Sequence, residues 1–298
     1  MENKSQDDIR ASVRETYAKI ARKGGAAPES NDRASCCSPA EFPTSTHQTE
    51  SCCGPSAGST ATESSACVPP GVSAEHMSAV MGYTQKDIES VPEGANMGLG
   101  CGNPVALSSL KPGETVVDLG SGGGFDCFLA AKEVGPSGKI IGIDMTPDMV
   151  SKARRNAAKV AAGNVDFRLG EIEYLPVADN TADIIMSNCV INLSPDKGRV
   201  YQEALRILKP GGRLAISDVL ATADLPPHIR NDLALVGACV GGAATIDKTE
   251  ELLKSAGFED IQIKPNDHSR QLIREWDPNK SENALDYVVS AYIEAIKP

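Results

Sequence analysis

The feature that most constrains this chain is a β-branched run ending in a glycine-rich turn, Glu114-Thr-Val-Val-Asp-Leu-Gly-Ser-Gly-Gly-Gly-Phe-Asp126, with a helix-like stretch around Ala130 and Ala131 directly after it. Strand, turn and helix in that order place backbone N–H groups and a helix N-terminus at the strand's carboxyl end, where open α/β sheets bind nucleotides. The glycines run Gly120-x-Gly122-x-Gly124, and Phe125 stands where a dinucleotide fingerprint needs its third glycine, which disfavours an NAD-dependent oxidoreductase. Asp118 precedes the first glycine by two residues. A second apolar run, Lys139-Ile-Ile-Gly-Ile-Asp-Met145, ends in Asp144. An acid there is placed to accept both hydroxyls of a ribose, with Met145 against the adenine. An ordinary tight turn explains one glycine cluster but not an acid at each of two strand ends beside it.

The rest of the chain continues the pattern. Strands are predicted near 115–119, 139–145, 164–169, 182–188, 212–219, 259–264 and 286–296, and helices near 126–134, 147–161, 196–208 and 247–256. This alternation predicts an α/β fold of Rossmann-like type, a mostly parallel sheet with helices on both faces. Upstream, Ile9, Val13, Tyr17 and Ile20 recur at about four-residue spacing in residues 5–23, which predicts an amphipathic helix. Residues 24–73 are rich in Ser, Thr, Pro, Gly and Ala, bury little apolar surface, and are expected to be flexible. They carry Cys36-Cys37, Cys52-Cys53 and Cys67. Residues 220–246 are rich in Ala and Gly around Cys239 and read as an insert or part of a C-terminal subdomain.

Charge narrows the range of partners. The net charge is -11 and no basic run occurs, so nucleic acid is a poor fit, because phosphate binding needs clustered Lys and Arg. The N-terminus lacks an apolar signal core and no stretch approaches spanning length, so no membrane association and a cytoplasmic location are expected. In that setting nine cysteines suit reduced thiols, for redox chemistry or soft-ion binding, better than a disulfide framework.

Over about residues 75–265 the chain resembles the class I S-adenosylmethionine-dependent methyltransferases. Two further motifs match, Gly170-Glu-Ile-Glu-Tyr-Leu-Pro176 and Leu208-Lys-Pro-Gly-Gly-Arg213 before a strand. The resemblance implies a cofactor site of Asp118, Gly120, Ser121, Gly122, Asp144, Met145, Ile172, Glu173 and Asn188. The glycine loop would hold the methionine part of S-adenosyl-L-methionine, Asp144 the ribose, and Ile172 and Glu173 would flank adenine. One antiparallel strand near the end of the sheet is also implied.

Three cysteines sit at loop or strand ends around such a pocket: Cys101 in GLGCGNP, Cys189 in SNCVINLSP and Cys239 in GACVGGA. Each is either a small buried hydrophobe or part of a soft ligand set. If they converge, three thiolates without a nearby histidine suit a thiophilic centre. Structural zinc is a poor fit, since it takes four ligands with close pairs such as C-x₂-C. Trivalent arsenic takes three sulfurs in a pyramid and keeps a lone pair able to attack a sulfonium methyl. It carries no proton, so no general base is needed, and His47, His76, His228 and His268 lie in no catalytic motif.

Here the resemblance sharpens. The stretch Gly82-Tyr-Thr through Pro92-Glu-Gly-Ala-Asn-Met-Gly-Leu-Gly-Cys-Gly-Asn-Pro104 is similar to the arsenite methyltransferase signature, as are Ser187-Asn-Cys-Val-Ile-Asn-Leu193 and Gly237-Ala-Cys-Val-Gly241. The family implies that Cys101, Cys189 and Cys239 ligate As(III) as the catalytic set. It also implies arsenite and methylarsenite as substrates, with thioredoxin or glutathione as thiol reductant. Cys127 reads as packing. Segment 75–104 is expected to close over the cofactor as a lid. The implied organisation is residues 1–74 as the N-terminal helix and cysteine-pair segment, 75–220 as the methyltransferase domain, and 221–298 as an arsenic-binding C-terminal subdomain. Two rivals stay open: another small-molecule methyltransferase with structural cysteines, and a noncatalytic metalloid-binding protein.

Overall fold

The computed structural model describes residues 5–23, 73–266 and 284–298. Five parallel strands, β1 (Thr115–Leu119), β2 (Lys139–Asp144), β3 (Val165–Leu169), β4 (Ala182–Asn188) and β5 (Leu208–Ala221), are completed by β6 (Glu259–Asn266) and β7 (Val288–Ile296) in the order β3-β2-β1-β4-β5-β7-β6. β7 runs antiparallel to both of its neighbours. The one antiparallel strand expected near the end of a class I sheet is thus β7.

Alternation along the strands decides which helix covers which face. Val116, Ile140, Ile184 and Ala215 face α5 (Phe125–Val134) and α6 (Pro147–Lys159). Their chain neighbours Val117, Ile141, Ile185 and Leu214 face α7 (Lys197–Ile207) and α10 (Ile246–Ala256). Both faces are therefore apolar and the central strands read as continuous hydrophobic runs, as a buried parallel sheet requires.

Five short helices lie where sequence periodicity is too brief to register: α2 (Ala74–Val80), α3 (Gln85–Glu89) and α4 (Pro104–Ser108) before β1, and α8 (Pro227–Arg230) with α9 (Leu233–Gly237) in the Ala/Gly-rich insert after β5. Local caps define the first three: Ser73 accepts from the N–H of His76, Thr84 forms a reciprocal capping box with Asp87, and Asn103 accepts from the N–H of Ala106. The amphipathic N-terminal helix is α1 (Gln6–Lys23). It buries Val13 and Ala21 on the face that docks beside α6 and α9.

β5 begins four residues earlier than the sequence suggests. Its register against β4 shifts between Ala182↔Leu208 and Ile184↔Arg213, so Pro210, Gly211 and their neighbours form a bulge. Pro210 sits there because a bulge needs no ladder N–H from it. The cysteine pairs at 36–37 and 52–53, with Cys67 and His268, lie outside the described residues. Among the described residues no helix is long and apolar enough to cross a membrane.

Candidate active site

β1 and β4 are neighbours in the sheet, and the helices that follow them pack on opposite faces. A crevice therefore opens beyond their carboxyl ends, the switch point of a doubly wound sheet. It is lined by Asp118, Gly120, Ser121, Gly122, Asp144, Met145, Ile172, Glu173 and Asn188, all nine of the residues expected at a cofactor site. The glycine loop hangs from β2: Gly120 and Ser121 donate their N–H groups to the Ile143 carbonyl at 2.7 and 2.9 Å. Gly120 has φ +73°, and a Cβ there would lie 2.3 Å from Val190 Cγ2, so only glycine fits. A Cβ on Gly123 would meet the Ala95 carbonyl at 2.9 Å, which places residues 94–97 directly on the loop.

Asp144 accepts the N–H of Gly122 on Oδ2 (3.0 Å) and that of Thr146 on Oδ1 (2.8 Å). Each oxygen keeps a lone pair for a hydroxyl. Glu173 is differently engaged. Its Oε1 accepts the Ser194 hydroxyl at 2.7 Å and the Arg10 guanidinium at 3.3 and 3.4 Å, so its carboxylate is tied to α1 as well as lining the crevice.

Three acids crowd the crevice. Burial pushes Asp118 well above the usual carboxylate range, and the neighbouring Asp126 charge adds to this. Burial raises Asp126 to about 6 against the hydrogen bonds from Tyr83 and Asn188. Asp144 is raised by burial too, opposed by the Thr146 and Gly122 bonds. Like charges held in a buried wall favour a cationic ligand, which restores their ionised forms. Cys127, read as packing, is buried beneath the loop, and its thiol also donates to Asp118 Oδ2 at 3.1 Å.

The thiols gather at one end. Cys189 and Cys239 line the crevice, and Cys101 follows Gly100, which lines it as well. Cys101 and Cys189 are joined as a disulfide, their Cα atoms 5.8 Å apart. Cys239 is buried, and its Sγ donates to the Cys189 carbonyl at 3.0 Å. Among the described residues the ligand atoms that close within 4.8 Å of one another belong to Cys101, Cys189 and Asp218. Sequence spacing gave no sign of Asp218. Burial raises its carboxyl to about 6, against backbone N–H bonds from Val219, Asn192 and Ile191. Those bonds fix the turn just after Cys189.

Both Cys189 (φ +56°) and Cys239 (φ +63°) sit in the left-handed region, rare for a residue with a Cβ and held only when the surroundings over-determine it. Cys189 is held by its N–H to the Ser217 carbonyl at 2.8 Å, and Cys239 by its N–H to Val236 at 3.0 Å. Asn188 ties the Cys101 segment to β4: its Oδ1 accepts the Cys101 N–H at 2.9 Å and its Nδ2 donates to the Gly102 carbonyl at 2.9 Å. The same amide approaches the Tyr83 hydroxyl, which donates to Asp126 at 2.5 Å.

A profile described as a methyltransferase domain matches residues 110–257. An arsenite methyltransferase of Halobacterium salinarum is 54% identical over 218 residues, 73% of this chain and 55% of that protein. The human arsenite methyltransferase is 43% identical over 152 residues, 48% of this chain and 40% of that protein. The crystal structure of an arsenic(III) S-adenosylmethionine methyltransferase from Chlamydomonas reinhardtii superposes with a TM-score of 0.56 at 32% identity, covering 74% of this chain and 72% of that one. This chain belongs to the arsenic(III) S-adenosylmethionine methyltransferase family. It spans about half the length of the curated relatives it matches.

For a family member the crevice must suit S-adenosylmethionine, a sulfonium and an ammonium joined to an adenosine. The donor set fits. The acids Asp118, Asp126 and Asp144 suit the cationic and ribose portions, while Met145 and Ile172 offer apolar surface for a base. Two buried polar atoms in the same wall, Asn96 Nδ2 and Ser121 Oγ, have no hydrogen-bond partner. Nothing in the sequence marks Asn96 as a lining residue, although it lies within the Pro92–Pro104 motif, and nothing there points to Arg10, Val13 and Tyr17, through which α1 lines the crevice. The periodicity of α1 signals a helix with an apolar face but carries nothing about where that face docks.

Proposed function

We propose that this protein methylates trivalent arsenic, with Cys101, Cys189 and Cys239 as the thiolates that hold the metalloid. The observation that carries the reading is the position of the thiols: Cys189 and Cys239 line the same crevice as Asp118, the glycine loop and Asp144. Bound S-adenosylmethionine supplies an electrophilic methyl group on a sulfonium. The residues proposed to hold it are Asp118, Gly120, Ser121, Gly122, Asp144, Met145, Ile172, Glu173 and Asn188, with Glu173 acting also as the anchor of α1.

The Cys101–Cys189 disulfide gives the thiol reductant a definite task. Two molecules of a thiol such as glutathione, or one dithiol such as that of thioredoxin, convert the protein disulfide to two protein thiols and leave as their own disulfide. Arsenite then exchanges three hydroxyls for three cysteine sulfurs with loss of three waters. The arsenic lone pair is the nucleophile, and no proton has to leave with it. The chain's contribution is position. Asn188 holds the Cys101 segment, and the Asp218-bound turn holds Cys189 next to the glycine loop, where Val190 packs on Gly120. A need for reducing thiols fits a cytoplasmic setting. Methylation takes arsenic from the trivalent to the pentavalent state, and two electrons from the thiol reductant, which leaves as its disulfide, return it to trivalent methylarsenite. Methylarsenite re-enters by exchanging its two hydroxyls for two cysteine sulfurs with loss of two waters.

The test is direct. Incubation with arsenite, glutathione and S-adenosylmethionine is expected to yield methylarsenicals. Cys189→Ser is expected to abolish product while S-adenosylhomocysteine still binds. Product formation by Cys189→Ser at the wild-type rate would refute the ligand assignment.

A further inference from the structure

Asn96 Nδ2 and Ser121 Oγ are the two buried side-chain polar atoms among the described residues that have no hydrogen-bond partner, and both residues line the crevice. A buried amide or hydroxyl without a partner is costly, so two in one wall mark a place built for a polar ligand group. The amide of Asn96 has a fixed orientation. Its Oδ1 accepts the Gly98 N–H at 2.9 Å and the Ser78 hydroxyl at 2.9 Å; turning the amide over would set its NH₂ group against the Gly98 N–H, a donor that cannot accept. The acceptor is used and the NH₂ group is left over. Ser121 is 7% exposed. Its backbone is fixed on both sides, N–H to the Ile143 carbonyl at 2.9 Å and carbonyl to the Gly124 N–H at 2.8 Å, and its hydroxyl is left without a partner.

What these donors can take follows from their surroundings. The Asn96 segment lies on the glycine loop, where Ala95 and Gly94 carbonyls reach within 2.9 and 3.1 Å of the space a Gly123 Cβ would occupy. The neighbouring wall carries Asp118 and Asp126, which would repel an anion and attract a cation. A zwitterionic amino-acid group entering here is sorted: its ammonium goes to the acids, and its carboxylate goes to the neutral donors. We propose that Asn96, assisted by Ser121, binds the α-carboxylate of the methyl donor's amino-acid arm. The proposal rests on the methyl-donor reading of the crevice and adds the residue that selects for an intact amino-acid arm.

Titration calorimetry on the full chain tests it with three ligands: S-adenosylhomocysteine, its decarboxylated analogue, and 5′-methylthioadenosine, which lacks the arm altogether. Asn96→Asp is the informative variant. Its Oδ1 can still accept from Gly98 and Ser78, while the donor becomes a carboxylate. Loss of a charge-assisted hydrogen bond predicts that S-adenosylhomocysteine affinity falls at least ~10-fold. Affinity for 5′-methylthioadenosine is expected to stay within about twofold, and that for the decarboxylated analogue to hold or rise. Ser121→Ala is expected to show the same pattern at smaller amplitude. Equal losses for all three ligands would give Asn96 a role only in holding the loop and overturn the proposal; undiminished S-adenosylhomocysteine binding would overturn it as well. If the wild-type chain bound none of the three, the methyl-donor reading would itself fall, an outcome distinct from a failure confined to Asn96→Asp.

Discussion

Arg10→Ala should release helix α1 from the crevice without unfolding the sheet. Arg10 is 12% exposed at its side chain and Glu173 only 4%, and the guanidinium reaches Glu173 Oε1 through Nη2 at 3.3 Å and Nε at 3.4 Å. Truncation leaves a buried carboxylate whose remaining bond in this cluster is the Ser194 hydroxyl at 2.7 Å. Breaking a buried ion pair on one side costs ~3–5 kcal/mol when geometry is ideal. The long contacts here and the Ser194 bond argue for less, about 2–3 kcal/mol. That amount multiplies the opening equilibrium of α1 by roughly 30- to 150-fold. Hydrogen exchange followed by mass spectrometry should show peptides within 6–23 exchanging faster by that factor while β1 and β4 peptides are unchanged. Arg14→Ala is the control: its partner Glu171 is 34% exposed and Arg14 is 44% exposed, so the loss should be within ~1 kcal/mol. Glu173→Gln in the Arg10→Ala background should recover much of the protection, because a neutral amide can stay buried. If α1 exchange rises less than about threefold, or β4 exchange rises with it, the pair does not hold the helix in the way argued.

Two further outcomes follow from the crevice. Gly120→Ala forces a Cβ to within 2.3 Å of Val190 at φ +73°, so S-adenosylhomocysteine affinity should drop ~10-fold or more while a melt still shows a folded protein; unchanged calorimetric affinity would contradict the close fit. The acids set a pH dependence. Asp126 and Asp218 are raised from 3.8 to about 6 by burial, so the folded state binds more protons than the unfolded chain between those values. The stabilisation is present in full below pH 3.8 and is lost as pH rises through 6, by up to about 3 kcal/mol per group. Urea melts of the ligand-free protein should therefore give lower stability at pH 7.5 than at pH 5.5, and Asp126→Asn should flatten that difference; an equal slope in both proteins would refute it.

Legibility in the sequence tracked how local the physics was. The glycine loop could be read because Gly120 needs a backbone region and a closeness that other residues cannot supply, and because Asp118 and Asp144 end strands whose apolar runs are themselves local signals. The register bulge that starts β5 at Leu208 could not be read, since it depends on the partner strand β4 and not on the Pro-Gly-Gly run alone. The thiols show the same division. Their neighbouring motifs identified Cys101, Cys189 and Cys239, but the Cys101–Cys189 link joins residues 88 apart, and Asp218 enters only because β5 ends beside β4. Glu173 is the most instructive case. Its motif placed it beside adenine, and it does line the crevice, yet its charge is held by Arg10, a residue 163 positions away on a helix whose docking no periodicity encodes. Neutralising Glu173 should then disturb two things at once, the crevice and the helix over it, and an adenine contact alone would disturb only the first. Exchange protection of α1 separates these: loss of protection in Glu173→Gln without added ligand, absent from Ser194→Ala, reports the long-range ion pair, and unchanged protection would leave the adenine contact alone.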